Sequence, residues 1–231
     1  MNKELLELLR AVDTPTVCNA IEVAEGKRGF ATFTRGTMLA SHPEAPAMVG
    51  YASTARIAAV SPPSEPPETI RQKRMDYYRH MANGPRPAIA VIEDTDFPDC
   101  IGAFWGEINT TVHKGLGLCG ALTNGVMRDL ADLPDGFPVV AGSIGPSHGF
   151  VHVVETGRPV TIYGLPISDG DFVHADRHGA LVVPPAIIAN LGEAIRKLLE
   201  TEKIILEPAR APGFDIDAFE SAWAAFEAAR T

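Results

Sequence analysis

Between Gly102 and Asp132 the chain sets an acid, a cation and two further acids on short, glycine-punctuated segments. Glu107 follows the turn Gly102-Ala-Phe-Trp-Gly106, Arg128 and Asp129 are adjacent, and Asp132 lies just beyond them. These residue types suit a divalent metal and a small carboxylated substrate. Arginine offers a planar fork to a carboxylate, and aspartate offers a hard oxygen to Mg²⁺ or Mn²⁺. A helix opening at Glu107 would turn its first backbone N–H groups toward an anion, and Gly106 would let that anion approach the main chain closely. Each part also has a plainer reading. Glu107 by itself reads as a helix-dipole complement, an effect of about 0.3–1 kcal/mol, and an Arg-Asp pair is commonly surface charge. Position raises the pair: it follows the apolar segment Leu118–Thr123 and the tight turn Asn124-Gly125. That puts it at a sheet edge, close to the start of the Glu107 helix.

Other chemistries find less support. His148 and His152 are four residues apart, as are His174 and His178. Neither spacing puts two rings on one face where a loop runs into a strand or a strand into a turn, and no cysteine lies nearby, so a structural zinc site is not expected. One of these histidines lining a pocket stays open. There is no G-x-S-x-G elbow, P-loop or dinucleotide fingerprint. Gly115-Leu-Gly117 stands after a helix, not before one, so no methyl-donor loop is present. Lys114 falls at the far end of its helix from Glu107, which removes the obvious Schiff-base lysine. Glu93, Asp94 and Asp96 follow an apolar run and read as a solvated loop.

The elements that must hold this stretch are legible from periodicity. Leu5, Leu6, Leu8, Leu9 and Val12 mark a first helix, and Thr14-Pro15 is the expected cap and first turn of a second that stops near Gly26. Met48–Val60 reads as a half-buried strand, and the proline-rich residues 61–68 as a connector. Thr69–Ala82 reads as a helix with Ile70, Met75, Tyr78 and Met81 inward; Tyr77 and Tyr78 are core or pocket. Ala88–Ile92 is a fully apolar run, as a central strand requires. Short strands follow at Val139–Ala141, Val151–Val154, Pro159–Tyr163, Ile167–Ala175 and Ala180–Val183. A long apolar stripe marks a helix from Pro185 to about Thr201, followed by a loop containing Pro208 and Pro212. A last helix, Ile216–Ala229, carries Phe219, Trp223 and Phe226 on one face, suited to docking on its own domain or building an oligomer. The class is α/β, with helices at both ends.

The bulk numbers agree. A chain of 231 residues that is 45% apolar folds around one sizeable core. A net charge of −9 argues against general phosphate-backbone binding, so no nucleic-acid partner is expected. Three cysteines without ligand spacing fit reduced thiols. With no signal peptide and no membrane-length apolar run, the expectation is a cytoplasmic protein with no membrane partner.

The spacing Glu107, twenty residues, Arg128-Asp129, two residues, Asp132 resembles the signature of the RraA-like family, which includes the class II 4-hydroxy-4-methyl-2-oxoglutarate/4-carboxy-4-hydroxy-2-oxoadipate aldolases. Asp13-Thr-Pro-Thr16, Val49-Gly-Tyr-Ala-Ser-Thr54 and the block from Gly170-Asp171 through Asp176-Arg-His-Gly179 to Pro184 are similar to further family segments. The resemblance spans roughly residues 10–200. It implies one RraA-like domain over residues 1–231, with a β/β/α swivelling-domain-like core and a C-terminal helical extension at about 213–231. It also implies a homotrimer or homohexamer. In the site, amides of Gly106, Glu107, Ile108 and Asn109 with the Arg128 side chain would hold a pyruvate-like moiety. Asp129 would bind Mg²⁺ or Mn²⁺, Glu107 would anchor the cation's waters, and Asp132 matches an acid of the catalytic members. The implied activity is a lyase that cleaves a 2-oxo acid to pyruvate by retro-aldol reaction or decarboxylation. The alternative is a non-catalytic ring protein that modulates an RNA-processing enzyme. Asn19, Ser168-Asp169, residues 61–87 and the bulky Phe104-Trp105 depart from the family pattern, and they bear on the substrate's other half.

Overall fold

Every residue of the run Ala88–Ile92 is buried, and alternate side chains feed two different cores. Ala88, Ala90 and Ile92 face a cluster with Tyr77, Met81, Trp105 and Phe137. Ile89 and Val91 face another with Met48, Leu122, Val140 and Ile162. A strand covered on both faces is what a continuous apolar run requires.

The computed structural model describes residues 2–230. Its strands are β1 (Leu39–Ala40), β2 (Met48–Ala58), β3 (Ala88–Asp94), β4 (Ala103–Trp105), β5 (Leu118–Thr123), β6 (Val126–Met127) and β7 (Val139–Ala141). There follow β8 (Ser143–Ile144), β9 (His152–Thr156), β10 (Val160–Ile162), β11 (Leu165–Ile167), β12 (Phe172–Asp176) and β13 (Gly179–Val182). The helices are α1 (Lys3–Ala11), α2 (Thr14–Glu25), α3 (Pro67–Asn83), α4 (Glu107–Gly115), α5 (Ile188–Arg210) and α6 (Ile216–Arg230). Among the described residues, eight strands make one mixed sheet in the order β1-β7-β5-β3-β2-β12-β13, with β9 also on β2. β2, β3, β5 and β7 run parallel. A small parallel sheet, β4-β6-β8, carries the site residues at its ends.

The chain falls into two compact units. The first holds residues 1–15 and 31–185, with all the strands and α1, α3 and α4. The second holds residues 16–30 and 186–231, with most of α2 and all of α5 and α6. In the second unit Val17, Ile21, Leu191, Ile195 and Ala222 are buried, while Phe219 and Trp223 remain partly exposed; Phe214 meets Phe219 edge-on, and Trp223 lies tilted against Phe219 and Phe226.

Several local expectations need correction. Thr14 does not serve as a cap: it is helical, its N–H donates to Asp176 Oδ2 (2.8 Å), and its hydroxyl pairs with His174 Nδ1 (3.0 Å). His174 Nε2–H donates to the Leu9 carbonyl (2.9 Å), so this buried histidine ties α1 to the sheet. On α3 the inward residues are Tyr77 and Met81, while Met75 is exposed. β9 and β10, adjacent in sequence, join different partners: β9 pairs with β2 and β10 with β11. The expected strand Ile167–Ala175 is broken by a turn at 168–171, and Ser143–Ile144, outside the expected strands, pairs with β6. α5 runs on through Pro208 to Arg210.

The acids after β3 are not a solvated loop. Asp94 is fully buried, its backbone exchanges two hydrogen bonds with the Asn124 side chain (2.7 and 3.0 Å), and its Oδ1 accepts the Asp96 N–H (3.0 Å). Asp96 in turn accepts the N–H groups of Ala59 and Val60, and Glu93 pairs with Arg56. Burial raises the Asp94 carboxyl above its ordinary range.

Candidate active site

The strand pair β4–β6 ends with Trp105 opposite Met127, so the next residues, Gly106 and Arg128, emerge side by side. The Arg128 N–H donates to the Trp105 carbonyl (2.8 Å), which fixes this register. Gly106 caps α4 with no side-chain partner of its own. The Glu107 N–H donates to Asp129 Oδ2 (3.2 Å). The N–H groups of Ile108 and Asn109 lie in the first helical turn, where no intrahelical acceptor exists, and they remain available to an anion.

Gly106 must be small for steric reasons. A Cβ there would stand 2.5 Å from Asp129 Oδ2 and 2.8 Å from Arg128 Nε. Asp129 has a left-handed backbone, φ +55°. That conformation is uncommon outside glycine, though Asp and Asn adopt it most readily. It turns the carboxylate back onto the start of α4. The Asp132 N–H closes the turn on the Asp129 carbonyl (2.9 Å), and the Asp132 side chain is exposed.

Arg128 Nε is buried and has no hydrogen-bond partner among the described residues. Asp129 Oδ2, 3.4 Å away, is within ion-pair range but is not aligned as an acceptor. A buried guanidinium N–H without an acceptor is costly, and an incoming carboxylate would satisfy it. The carboxylate of Asp129, accessible and bonded through one oxygen to a main-chain N–H, suits a hard cation. Among the described residues no three His, Cys, Asp or Glu side chains converge into a cage. Mg²⁺ needs none, since it is commonly held by one or two carboxylates while keeping its waters. The donor set therefore fits such an ion: Asp129 would be the direct ligand, and the exposed Glu107, whose main-chain N–H meets the Asp129 carboxylate, would stand at the adjoining helix start.

A cleft of about 460 Å³ opens on these groups. Gly106, Ile108, Asn109 and Arg128 line it from the α4 side, Arg74 and Tyr78 from α3, and residues 148–153 from the segment entering β9. Arg74 forms no salt bridge among the described residues, so it is a second cation on the wall. Asn109 is held on both sides: Tyr78 Oη–H donates to its Oδ1 (2.7 Å), and its amide donates to the Phe104 carbonyl (2.7 Å). Beneath α4, His113 Nδ1–H donates to the Asn109 carbonyl (2.6 Å), so its Nε2 accepts from Tyr77 Oη–H (2.5 Å). Burial keeps His113 neutral, its pKa lowered to about 4.

The expected site residues thus assemble around the α4 start, with Gly106, Arg128 and Asp129 in direct contact. Asp132 is joined to them only through the backbone. Sequence reasoning missed Arg74 on the α3 wall of the cleft, because residues 61–87 carry no motif. Tyr77 and Tyr78 both line the cleft, Tyr77 while also fully buried in the core cluster. Of the histidines left open as pocket residues, His148 and His152 line the same cleft.

A parallel β4–β6–β8 sheet that juxtaposes a helix start with an arginine-aspartate pair, beside a larger mixed sheet, defines an α/β protein. The family model Aldolase/RraA matches residues 14–182, and the chain belongs to this RraA-like family. The same fold occurs in an uncharacterized protein from Pseudomonas syringae pv. tomato (20% identity, 97% of this chain and 94% of that one, TM-score 0.69). It occurs also in RraAS2 of Streptomyces coelicolor, an unusual member of the RNase ES inhibitor RraA protein family (19% identity, 91% and 98% coverage, TM-score 0.64). In sequence the chain is similar to protein DlpA of Legionella pneumophila, 27% identical over 121 residues. That match covers 49% of this chain and only 19% of DlpA.

Proposed function

We propose that this protein is a divalent-metal-dependent lyase that cleaves a 2-oxo acid to pyruvate. The observation that carries the reading is the buried, unpartnered Arg128 Nε beside the open first turn of α4, with the Asp129 carboxylate held against Gly106. Membership of a family described as Aldolase/RraA supports it.

In this reading Arg128 and the N–H groups at the α4 start, from Gly106 to Asn109, hold the substrate's 1-carboxylate. Of these, Ile108 and Asn109 are free to donate, and the Glu107 N–H steadies Asp129. Asp129 is the ligand for Mg²⁺ or Mn²⁺, with Glu107 and Asp132 contributing negative charge and water-binding oxygens around it. When bound, such a cation supplies Lewis acidity toward the 2-oxo group. As the carbon–carbon bond breaks, its electron pair becomes pyruvate enolate. The fixed charge of Arg128 and the helix start then face the negative charge where it develops. Retro-aldol cleavage and loss of CO₂ from an oxaloacetate-like acid leave the same enolate. Arg74 stands ready for a second anionic group on the substrate. Assembly as a homotrimer or homohexamer in the cytoplasm completes the proposal; light scattering on the purified protein gives the subunit number.

The test is pyruvate release from oxaloacetate, 4-hydroxy-4-methyl-2-oxoglutarate and related 2-oxo acids, with Mg²⁺ or Mn²⁺ and again with chelator. Metal-dependent pyruvate is the expected result. None from the whole panel would overturn the reading in favour of a non-catalytic ring protein that modulates an RNA-processing enzyme.

A further inference from the structure

Residues His148 to Val153 line the same cleft as the α4 start, and the segment from Ser147 onward is tied down at several points. The Ala103 N–H donates to the Ser147 carbonyl (2.9 Å), the Phe150 N–H to the Ala59 carbonyl (2.9 Å), and the Val151 N–H to the His148 carbonyl (3.1 Å). Gly149, at φ +51°, makes the bend between these ties. Two imidazoles stand on this fixed loop. His148 Nδ1 lies 2.7 Å from the Gly149 carbonyl, and His152 Nδ1 lies 2.8 Å from the Phe150 carbonyl. A carbonyl oxygen can only accept, so each Nδ1 carries the hydrogen, and in the neutral ring each Nε2 is a bare acceptor. Neither Nε2 has a protein partner among the described residues, and both residues line the cleft that Gly106, Asn109 and Arg128 line.

We propose that His148 and His152 are the proton-transfer groups of this site, acting through Nε2. The inference rests on the pyruvate-forming reading and adds to it the base that Glu107, Arg128, Asp129 and Asp132 leave unassigned. As C3–C4 of a 4-hydroxy-2-oxo acid breaks, the hydroxyl proton passes to Nε2. The O–H electron pair becomes the new carbonyl, and the C3–C4 pair stays on C3 as the enolate. The imidazolium then returns its proton to C3, giving pyruvate, an aldehyde or ketone, and a neutral ring. A tautomer fixed by a backbone carbonyl keeps the bare nitrogen available without reorganisation. The other titratable or charged groups on the cleft wall are Arg74, Tyr77 and Tyr78 from α3 and Arg128 from the strand end. Burial raises the pKa of both tyrosines, so neither is a base at neutral pH.

The test needs only pyruvate. In D₂O with Mg²⁺, the wild-type protein should exchange the pyruvate methyl hydrogens for deuterium, followed by NMR. The double variant H148A/H152A should lose on the order of 100-fold in exchange rate, the usual weight of general acid–base catalysis, while pyruvate affinity is unchanged. Added imidazole should restore part of the rate, and the single variants show which ring carries more of it. Undiminished exchange in the double variant overturns the proposal while the pyruvate reading stands. Should that variant fail to fold, the more conservative H148Q/H152Q, which keeps polar side chains but no basic ring nitrogen, must show the same loss, and undiminished exchange in it overturns the proposal. A wild type that neither binds nor exchanges pyruvate overturns both readings together.

Discussion

The main-chain N–H of Glu107 donates to the carboxylate of Asp129 across 3.2 Å, although the two residues lie on different strand-to-helix and strand-to-turn connections. This bond closes the angle between the start of α4 and the Arg128-Asp129 turn. It holds one carboxylate oxygen while leaving the other to solvent. The consequences can be tested residue by residue.

Substituting Gly106 by alanine should empty the site without unfolding the protein. Gly106 has φ −124°, open to any residue, so the backbone is not strained. The added methyl instead meets Asp129 Oδ2 at 2.5 Å and Arg128 Nε at 2.8 Å. We expect an unchanged circular dichroism spectrum, and pyruvate release or pyruvate binding reduced by roughly 100-fold, as when reacting groups are displaced by about 1 Å.

Asp129→Asn separates charge from backbone. Asparagine tolerates the left-handed conformation that alanine would strain, so the fold should persist while metal-dependent turnover disappears. Arg128→Ala should act chiefly on KM, since it removes a carboxylate clamp; a variant with both KM and kcat unchanged would refute that assignment. Steady-state kinetics on the same substrate panel reads both.

His113 should make stability fall in mild acid. Burial lowers its pKa to about 4 from an ordinary 6.5, so between these values the unfolded chain binds a proton that the folded chain refuses. Stability therefore declines as pH drops from about 6.5 toward 4 and changes no further below that. From the size of the shift the loss attributable to His113 is about 2 kcal/mol at pH 5. Denaturant melts of wild type and His113→Gln at pH 7.5 and pH 5 should show a smaller pH-dependent loss in the variant. Equal losses would mean that His113 does not contribute.

Cys100 should resist alkylation. Burial, with the neighbouring Asp94 and Asp96 carboxyls, pushes its thiol up to about 12, and only the thiolate is nucleophilic. Iodoacetamide at pH 8 should leave Cys100 unmodified in the folded protein and modify it after denaturation, as read by mass spectrometry. Rapid native-state labelling would contradict this.

The central strand, the helical stripes and the glycine-bounded acid-arginine-aspartate stretch were legible because each is a local pattern. Ala88–Ile92 is apolar at every position, Leu191 and Ile195 repeat at helical spacing, and Glu107, Arg128, Asp129 and Asp132 stand within one short segment. Family resemblance rested on the same short segment together with the equally local patterns Asp13–Thr16, Val49–Thr54 and Gly170–Pro184. Chain order said less about pairing. β9 and β10 look like a hairpin yet join different sheets, and Asp94 looks solvated yet lies beneath Asn124. Those outcomes depend on which distant strands arrive beside them, which no local pattern encodes.

Residue types along the chain set what the site can offer: one guanidinium, a few carboxylates and a helix start preceded by glycine. Their geometry and their neighbours come from long-range pairing. The β4–β6 register sets Gly106 against Arg128, and α3 brings Arg74 and Tyr78 to the cleft from some thirty residues upstream. The loop before β9 brings His148 and His152 to the same space. The physical reason is that residue type and local spacing fix what a group can donate or accept. Which groups share one pocket is fixed by strand pairing and helix packing between segments far apart in the chain.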